Sequence, residues 1–531
     1  MRYRILLNSK KGFRWFENEQ CLVRGCFYDS RGNWHEGESM LNYFGSADTF
    51  PEFRERIRNA NGYFSVIRKI EKEVWLACDL IRSLPLFFAY SGNDWLIADD
   101  AASVIRELHV AELNEEAIME FRGTGYVTGT ETLVKNMEMV QAGEALRLGR
   151  ERTSEFWHSY RVSGTGIGDY ELFRKQGKEV MDRSFGRMIG SLGDRTAVVP
   201  LSGGFDSRMI AVMLKKAGYS NVICFSYGRK DNPEALISKK VAGKLGFPWH
   251  FIEYDEKLVG NYIDSKTFKE YFKWASNLSS MFFMQEYFAV QALKETGKIP
   301  VDAVFIPGHS GDFIGGSQFA KHGFSAEVES METITERIFR VKYHYADYSN
   351  SQAKRMKERI REKIREKESG GDALAYSIHE DWDFKEKFAK FNVNSNASYT
   401  FFGYAFRMPY WDHELVEFFR KLPVEYKVNK RLYDDLLVNE YFRPYGVSFE
   451  SELQNSPRTY AWGRFKKRVK KLLPTWFVNL FTKKQDLLCY REITSRMRDD
   501  LRKRGENPGS HGNRYNKMII EWYLAWVKEQ A

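Results

Sequence analysis

Cysteine is scarce in this 531-residue sequence. There are five, Cys21, Cys26, Cys78, Cys224 and Cys489, with no CxxC pair and no zinc spacing. That excludes a disulfide-framed scaffold and a cysteine-based zinc module. Cys21 and Cys26 could bond by spacing, but reduced thiols are expected inside a cell. Long hydrophobic runs are missing too. None approaches the ~18 apolar residues that span a bilayer. The start, Met1-Arg2-Tyr3-Arg4, leads into only Ile5-Leu6-Leu7, too little for a secretory signal. A cytoplasmic location is therefore expected. No GxxxxGK[ST] loop is present, which argues against γ-phosphoryl transfer of that kind. No nucleic-acid motif occurs either. The net charge of +10 is read as a general attraction for anions, with no nucleic acid expected.

Hydrophobic residues at 43% and charged residues at 29% are ordinary for a globular chain, while aromatics at 15% are abundant. The length implies more than one domain. Up to about residue 150 the pattern is mostly β. Gly62–Arg68 alternates as a strand, and Val74–Cys78, Pro85–Tyr90 and Trp95–Ala98 follow at short spacing, as in a meander or sandwich. Helices are predicted over Ala101–Leu108 and Asn114–Phe121, and a closing strand at Ala145–Leu148. Ser163-Gly-Thr-Gly-Ile-Gly168 reads as a linker. After residue 170 the pattern changes to a helix from Tyr170 to about Ile189, then alternating strands and helices. The strands are Thr196–Leu201, Val222–Tyr227, Trp249–Ile252 and Ala303–Ile306; the helices are Arg208–Lys216 and Glu234–Leu245. That alternation predicts a parallel sheet covered on both faces. The remainder reads as mainly helical, with Lys354–Glu368 a solvated helix carrying opposite charges at i,i+4 spacing.

The chemistry concentrates in Ser202-Gly-Gly-Phe-Asp-Ser207, directly after a buried strand and opening a helix. Glycines allow close backbone approach, and amides at a helix N-terminus attract an anion. Asp206 would repel phosphate unless a cation lay between them, so Mg²⁺ is implied.

This loop resembles the SGGxDS loop of the PP-loop ATP pyrophosphatases. Further segments, in sequence order, resemble the asparagine-synthetase and β-lactam-synthetase branch. They are Phe225-Ser-Tyr-Gly with Glu234 and Val241–Gly246, Gly308-His-Ser-Gly-Asp312-Phe-Ile-Gly-Gly316, Arg407-Met-Pro-Tyr-Trp-Asp412 and Leu422–Lys430. Asn61-Gly-Tyr-Phe and Asp79–Phe87 resemble that family's glutaminase-like N-terminal domain. The resemblance implies an α/β two-domain fold. An Ntn-hydrolase-like αββα sandwich over 1–165 would precede a PP-loop synthetase domain over 170–445 with a parallel sheet, and a basic helical extension over 446–531. It implies ATP and Mg²⁺, an acyl-adenylate, and attack by an amine with release of AMP. Ser202, Gly203, Gly204, Asp206 and Ser207 would bind pyrophosphate, and Asp206 and Asp312 the metal. Leu201, Tyr227 and Gly308 would hold adenosine. Lys430 would be catalytic, with Arg431 as the alternative, and Arg407 would either orient a carboxylate or pair with Asp412.

The sequence departs from the family in three places. Arg2 stands where the glutaminase has its cysteine nucleophile, so no glutamine hydrolysis is expected by that route. Phe313 follows Asp312 where many members have Glu, so another group must take the amine proton. Glu286 and His309 are the candidates, with His309 favoured as a loop-stabilising hydrogen-bond donor. Residues 446–531 have no counterpart, and Lys466–Lys484 reads either as helices with lysines in water or as a surface for anionic membrane. A homodimer is compatible with the sequence. The expected partners are a small or carrier-linked carboxylate, such as a sugar uronate in surface-polysaccharide assembly, and an amine. The alternatives are an intramolecular amide synthetase, making a β-lactam or peptide macrocycle, and a non-catalytic nucleotide-binding scaffold.

Overall fold

The computed structural model describes residues 2–7, 11–108, 112–162, 168–318, 329–365, 374–449, 486–509 and 514–530. Most of the expected linker (163–167) and all of the basic stretch 466–484 lie outside the described residues.

The first eleven strands form two sheets. They are β1 (Arg2–Leu6), β2 (Trp15–Glu17), β3 (Cys21–Tyr28), β4 (Trp34–Glu36), β5 (Asn61–Lys69), β6 (Val74–Cys78), β7 (Phe87–Ser91), β8 (Asp94–Ala98), β9 (Met137–Met139), β10 (Glu144–Leu148) and β11 (Arg152–Phe156). One sheet runs β11-β10-β6-β5-β3-β2 with β4 on β3, the other β1-β8-β7-β9. Leu22, Ile67 and Leu76 of the first meet Phe88 and Ile97 of the second in a shared apolar layer. Helices α1 (Glu38–Gly45) and α2 (Phe50–Arg58) cover the outer face of the larger sheet, where Phe44, Phe53 and Ile57 pack on Phe64, Val66 and Trp75. Helix α3 (Ala101–Leu108) covers β7 and β8, with Ala101 and Val104 in one cluster with Phe87 and Leu96. The result is the expected αββα sandwich.

The alternation expected along Gly62–Arg68 is not seen in its burial. Six consecutive residues of β5 are buried, because one face meets a helix layer and the other a sheet. Cys21 and Cys26, five apart on β3, belong to different core clusters and stay free, as do the other three buried cysteines.

The later strands are β12 (Ala197–Pro200), β13 (Val222–Gly228), β14 (Trp249–Glu253), β15 (Val304–Phe305) and β16 (Ala405–Phe406). They form a parallel sheet in the order β14-β13-β12-β15-β16. Its helices carry ordinary end signals. After α4 (Glu115–Thr124), α5 (Tyr170–Gly190) is capped by Asp169, which accepts from the Glu171 amide. Helix α6 (Phe205–Lys216) begins after Gly204 with no side-chain cap. Helix α7 (Pro233–Leu245) starts behind Asn232 with Pro233 in its first turn and ends at left-handed Gly246.

Two expectations need correction. The helix Asn350–Arg365 is not simply solvated. Met356, Ile360 and Ile364 are buried in a satellite core, and Arg359 reaches the buried Glu120 at 3.0 Å. Arg407 neither faces the cleft described below nor pairs with Asp412. It is fully buried and donates to Ser191 Oγ at 2.9 Å and to the Phe406 carbonyl, while Asp412 binds Arg187 through two bonds of 2.7 Å.

Beyond the sheets, the described residues after 485 are largely helical. Helices Tyr490–Lys503 and Tyr515–Gln530 close over the core, and the Trp522 ring lies 5.0 Å from Phe272. Among the described residues no helix is long and apolar enough to cross a membrane.

Candidate active site

In the parallel sheet the chain runs outward from β12 in both directions, so a crevice opens at the strands' C-terminal ends between β12 and β15. A cavity of about 1060 Å³ occupies this position. Leu201–Ser207 enter it from β12, Ser226 and Tyr227 from β13, and Pro307–His309 with Asp312 from the loop after β15.

The first loop is tied to itself. The Ser202 amide donates to Ser207 Oγ at 3.1 Å, the Gly204 amide donates to Ser202 Oγ at 3.1 Å, and the two hydroxyls lie 3.1 Å apart. Arg208 is fully buried, reaching back to the Gly203 carbonyl at 2.9 Å and to Val447 O at 3.0 Å. With no side chain capping α6, its first amides remain free to meet an anion.

The two glycine-rich loops touch. The Asp312 amide donates to Asp206 Oδ2 at 2.9 Å, and the Tyr433 hydroxyl donates to Asp206 Oδ1 at 2.7 Å. Glycine is required at the contact. A Cβ on Gly308 would stand 2.5 Å from the Ser207 nitrogen, and one on Gly311 would stand 2.7 Å from Asp206 Cγ. Burial and then the neighbouring Asp312 push the Asp206 carboxyl up to about 7. Two adjacent carboxylates in a sheltered cleft, an all-oxygen donor set, suit a hard divalent cation.

Lys430 lines the cavity, with its ammonium 2.8 Å from Asp434 Oδ1. Burial works to lower its pKa, but Asp434 together with Asp206 and Asp312 outweighs that and the net shift is upward, so the cation is secure. Arg431 instead lies over the Tyr170 and Tyr426 rings and does not line the cavity, so Lys430 is the cation of this stretch that faces the cleft.

Glu286 also faces the cavity. The Tyr227 hydroxyl donates to its Oε1 at 3.3 Å and the Tyr399 hydroxyl to its Oε2. Burial pushes Glu286 up to about 7, against the pull of the two phenols. Tyr227, expected at the adenosine, therefore has its hydroxyl engaged with Glu286 while its ring stacks on Tyr254 at 5.4 Å. His309 is held by Asn396 at 3.1 Å and by Ser310 at 3.3 Å, which matches a loop-stabilising role. Burial lowers its pKa. Phe313, after Asp312, is fully buried and stacked on Phe388 at 4.1 Å, so it faces core rather than cleft.

Residues 179–439 match the family model for asparagine synthase. They form an asparagine synthase domain. The two glycine loops, Glu286, Asp312 and Lys430 all fall inside it. No curated protein sequence matches the chain. Among solved structures it is similar to an NH3-dependent NAD synthetase from Campylobacter jejuni subsp. jejuni NCTC 11168, with 12% identity over 39% of this chain and 99% of that one and a TM-score of 0.20. It is also similar to an NMN synthetase from Francisella tularensis, with 12% identity over 40% of this chain and 92% of that one and a TM-score of 0.19. A glutamine phosphoribosylpyrophosphate amidotransferase from B. subtilis matches with 9% identity over 57% of this chain and 64% of that one, at a TM-score of 0.19. Scores this low carry no weight for function.

One wall of the cleft comes from outside the asparagine synthase domain. Asp486, Leu487, Leu488, Tyr490 and Tyr515 line it. They are clamped by Arg229, just after β13, whose amide donates to Leu487 O and whose Nε donates to Asp486 O, both at 2.8 Å. The Asp486 carboxylate accepts from the Tyr490 and Arg491 amides, and Tyr490 stacks on Tyr515 at 5.5 Å. Sequence reasoning missed this wall, along with Tyr399, Tyr433 and Asp434. Only Asp434 left a signal, a carboxylate four residues after Lys430 on a helical stretch.

Proposed function

We propose that this protein is an ATP-dependent amide ligase that activates a carboxylate as its adenylate and passes the acyl group to an amine. The observation that carries the reading is the contact between the Ser202–Ser207 loop and the Gly308–Asp312 loop, with Asp206 beside Asp312, inside an asparagine synthase domain. On this reading 1–165 is a glutaminase-like sandwich, 170–445 the synthetase domain and 446–531 an extension whose described part walls the cleft.

In the first step a substrate carboxylate oxygen attacks the α-phosphorus of ATP and pyrophosphate leaves. The amides of α6 and the Ser202 and Ser207 hydroxyls hold the pyrophosphate, with Gly203 and Gly204 allowing close approach. Leu201, Tyr227 and Gly308 border the adenosine. Asp206 and Asp312 would hold Mg²⁺, which supplies neutralisation of phosphate charge. Among the described residues no group of three or more His, Cys, Asp or Glu side chains forms a metal site, so phosphate oxygens and water would complete the ion's shell. Lys430 offsets negative charge developing on the phosphate and acyl oxygens. In the second step the amine nitrogen attacks the acyl carbon, AMP leaves, and the amine proton passes to Glu286, positioned by Tyr227 and Tyr399. A sugar uronate is the carboxylate we favour, on the resemblance of the loop wording to polysaccharide-associated relatives; ammonia or another small amine supplies the nitrogen.

The test is ATP–pyrophosphate exchange with a panel of uronates, amino acids and peptides, in wild type and Asp206→Ala. We expect exchange that requires one carboxylate and falls at least ~1000-fold in the variant. ATP binding without exchange on any carboxylate would count for the nucleotide-binding scaffold instead.

A further inference from the structure

A second cavity, of about 50 Å³, lies where the sandwich meets the segment 389–400. On the sandwich side it is bordered by the turn Arg82–Pro85 and by Asp99, just past the end of β8. It is not the place of a nucleophile at residue 2. Arg2 pairs in register with Asp94, at the opposite end of β8, about 16 Å away at ~3.3 Å per residue.

The charge on its walls is unbalanced. Among the lining residues there are three cations, Lys11, Arg24 and Arg82, and one acid, Asp99; from outside the lining Lys11 meets Glu270 at 3.8 Å, and Asp79 and Glu386 act on Arg82 without hydrogen-bonding it. Asp99 is already engaged, accepting from Trp15 Nε1 at 2.8 Å and from Arg24 at 3.3 Å. Arg24 also donates to the Pro85 carbonyl at 2.8 Å. Arg82 is 6% exposed, and among the described residues its guanidinium makes no hydrogen bond; its Nε is buried without a partner. Burial pulls Arg82 down to about 10, still a cation at neutral pH.

The backbone at Arg82 adds an independent observation. Its φ is 57°, in the left-handed region that glycine adopts without strain and a long side chain does not. The turn itself is built by Asp79, whose carboxylate accepts from the amides of Phe64, Ile81 and Ser83 and from the Ser83 hydroxyl. No hydrogen bond of that turn uses the arginine side chain; its guanidinium lies 5.6 Å from the centre of the Phe87 ring, and the acids that act on it are Asp79 and Glu386.

We propose that this cavity is a binding site for a small planar anion, a carboxylate group or one of its size, held between Arg82 and Arg24. A guanidinium matches such an anion with two parallel donors. The volume is of the right order, since one water claims about 30 Å³ of liquid. Asn396 borders this cavity and also accepts from His309 of the main cleft, so an occupant would be one side chain away from the site described above. The proposal does not depend on the ligase reading.

The test is thermal unfolding of the full chain titrated with formate or acetate, against chloride at equal ionic strength, in wild type, Arg82→Gly and Arg82→Lys. In wild type the midpoint is expected to rise by ~2 °C or more and to saturate, as for any ligand that binds only the folded state. Arg82→Gly, free of backbone strain, should lose that rise. An anion effect at the Ser202–Ser207 loop is common to all three proteins, so the difference between them reads this cavity. Arg82→Lys keeps the cation without the paired donors, and its apparent affinity should fall at least ~10-fold. An equal rise in wild type and Arg82→Gly would overturn the proposal. So would unchanged affinity in Arg82→Lys, or no rise in wild type beyond that with chloride.

Discussion

Glu286 lies 59 residues from Tyr227 and 113 from Tyr399 along the chain, yet both phenols converge on its carboxylate. In the sequence it was one of two candidates for the amine proton. His309 is engaged within its own loop and by Asn396, and Glu286 is the one we propose for the amine proton. With Glu286 pushed up to about 7, the proposed base is ionised above neutral pH. Amide formation should therefore rise between about pH 6 and 8, and Glu286→Gln should remove that limb. The variant should lower amide formation at least ~100-fold while leaving ATP–pyrophosphate exchange within a few-fold of wild type, since adenylation precedes the amine. Linkage runs the other way for stability. A carboxyl raised above its unfolded value of about 4.3 favours the protonated fold, and that advantage is lost as pH rises through 7. Glu286→Gln should accordingly melt higher than wild type at pH 8. Asp206, Asp312 and Lys430 were singled out by the short motifs that carry the family resemblance, and all three line the cleft, whereas Tyr399 and Tyr433 act through distances that no local pattern records.

At the scale of elements, the first glycine loop and the strands and helices around it were readable from apolar runs and end signals. Strand β15, only two residues long, was marked by the apolar run Ala303–Ile306, whereas the two-residue β16 is too short for any period to mark it and was missed. The helix Asn350–Arg365 was misread because its charge pairs at i,i+4 outweighed a quieter signal, Met356, Ile360 and Ile364 at four-residue spacing, which is the buried stripe. What the glycines of the second loop are for emerged only from packing. Gly308→Ala would press a methyl against the Ser207 backbone, which cannot yield as a flexible side chain would. We expect a loss of ~1–3 kcal/mol of stability by urea unfolding and at least ~100-fold in exchange, with far-ultraviolet circular dichroism unchanged. Exchange within a few-fold of wild type would mean the two loops do not need this contact.

On the scale of the whole molecule, the sandwich and the parallel sheet are joined through a polar seam. Arg187 grips Asp412 through two bonds of 2.7 Å and reaches Glu414 at 2.8 Å. Asn61, at the start of β5, donates to Asp412 and accepts from the His413 amide. Arg187→Ala strands the largely buried Asp412 and should cost ~2 kcal/mol, read as a lower urea midpoint with an unchanged slope. A variant as stable as wild type would show the seam to be incidental. The largest apolar cluster runs through residues of both halves and into the C-terminal helices, so the shift in pattern near residue 165 does not separate two independent cores.

The sequence by itself determined the alternation of strands and helices after residue 170 and the place of the phosphate-type loop, because periodicity and glycine spacing are local properties of the chain; the pairing of Asp206 with Asp312, 106 residues apart, was only implied by the family resemblance. Tertiary structure alone decided that Lys430 rather than Arg431 faces the cleft and that Arg407 is a buried brace. It alone brought Glu286 under two distant tyrosines and residues 486–490 into the cleft wall. Each of these depends on contacts between segments far apart in the chain, and long-range packing leaves no mark in the spacing of neighbouring residues.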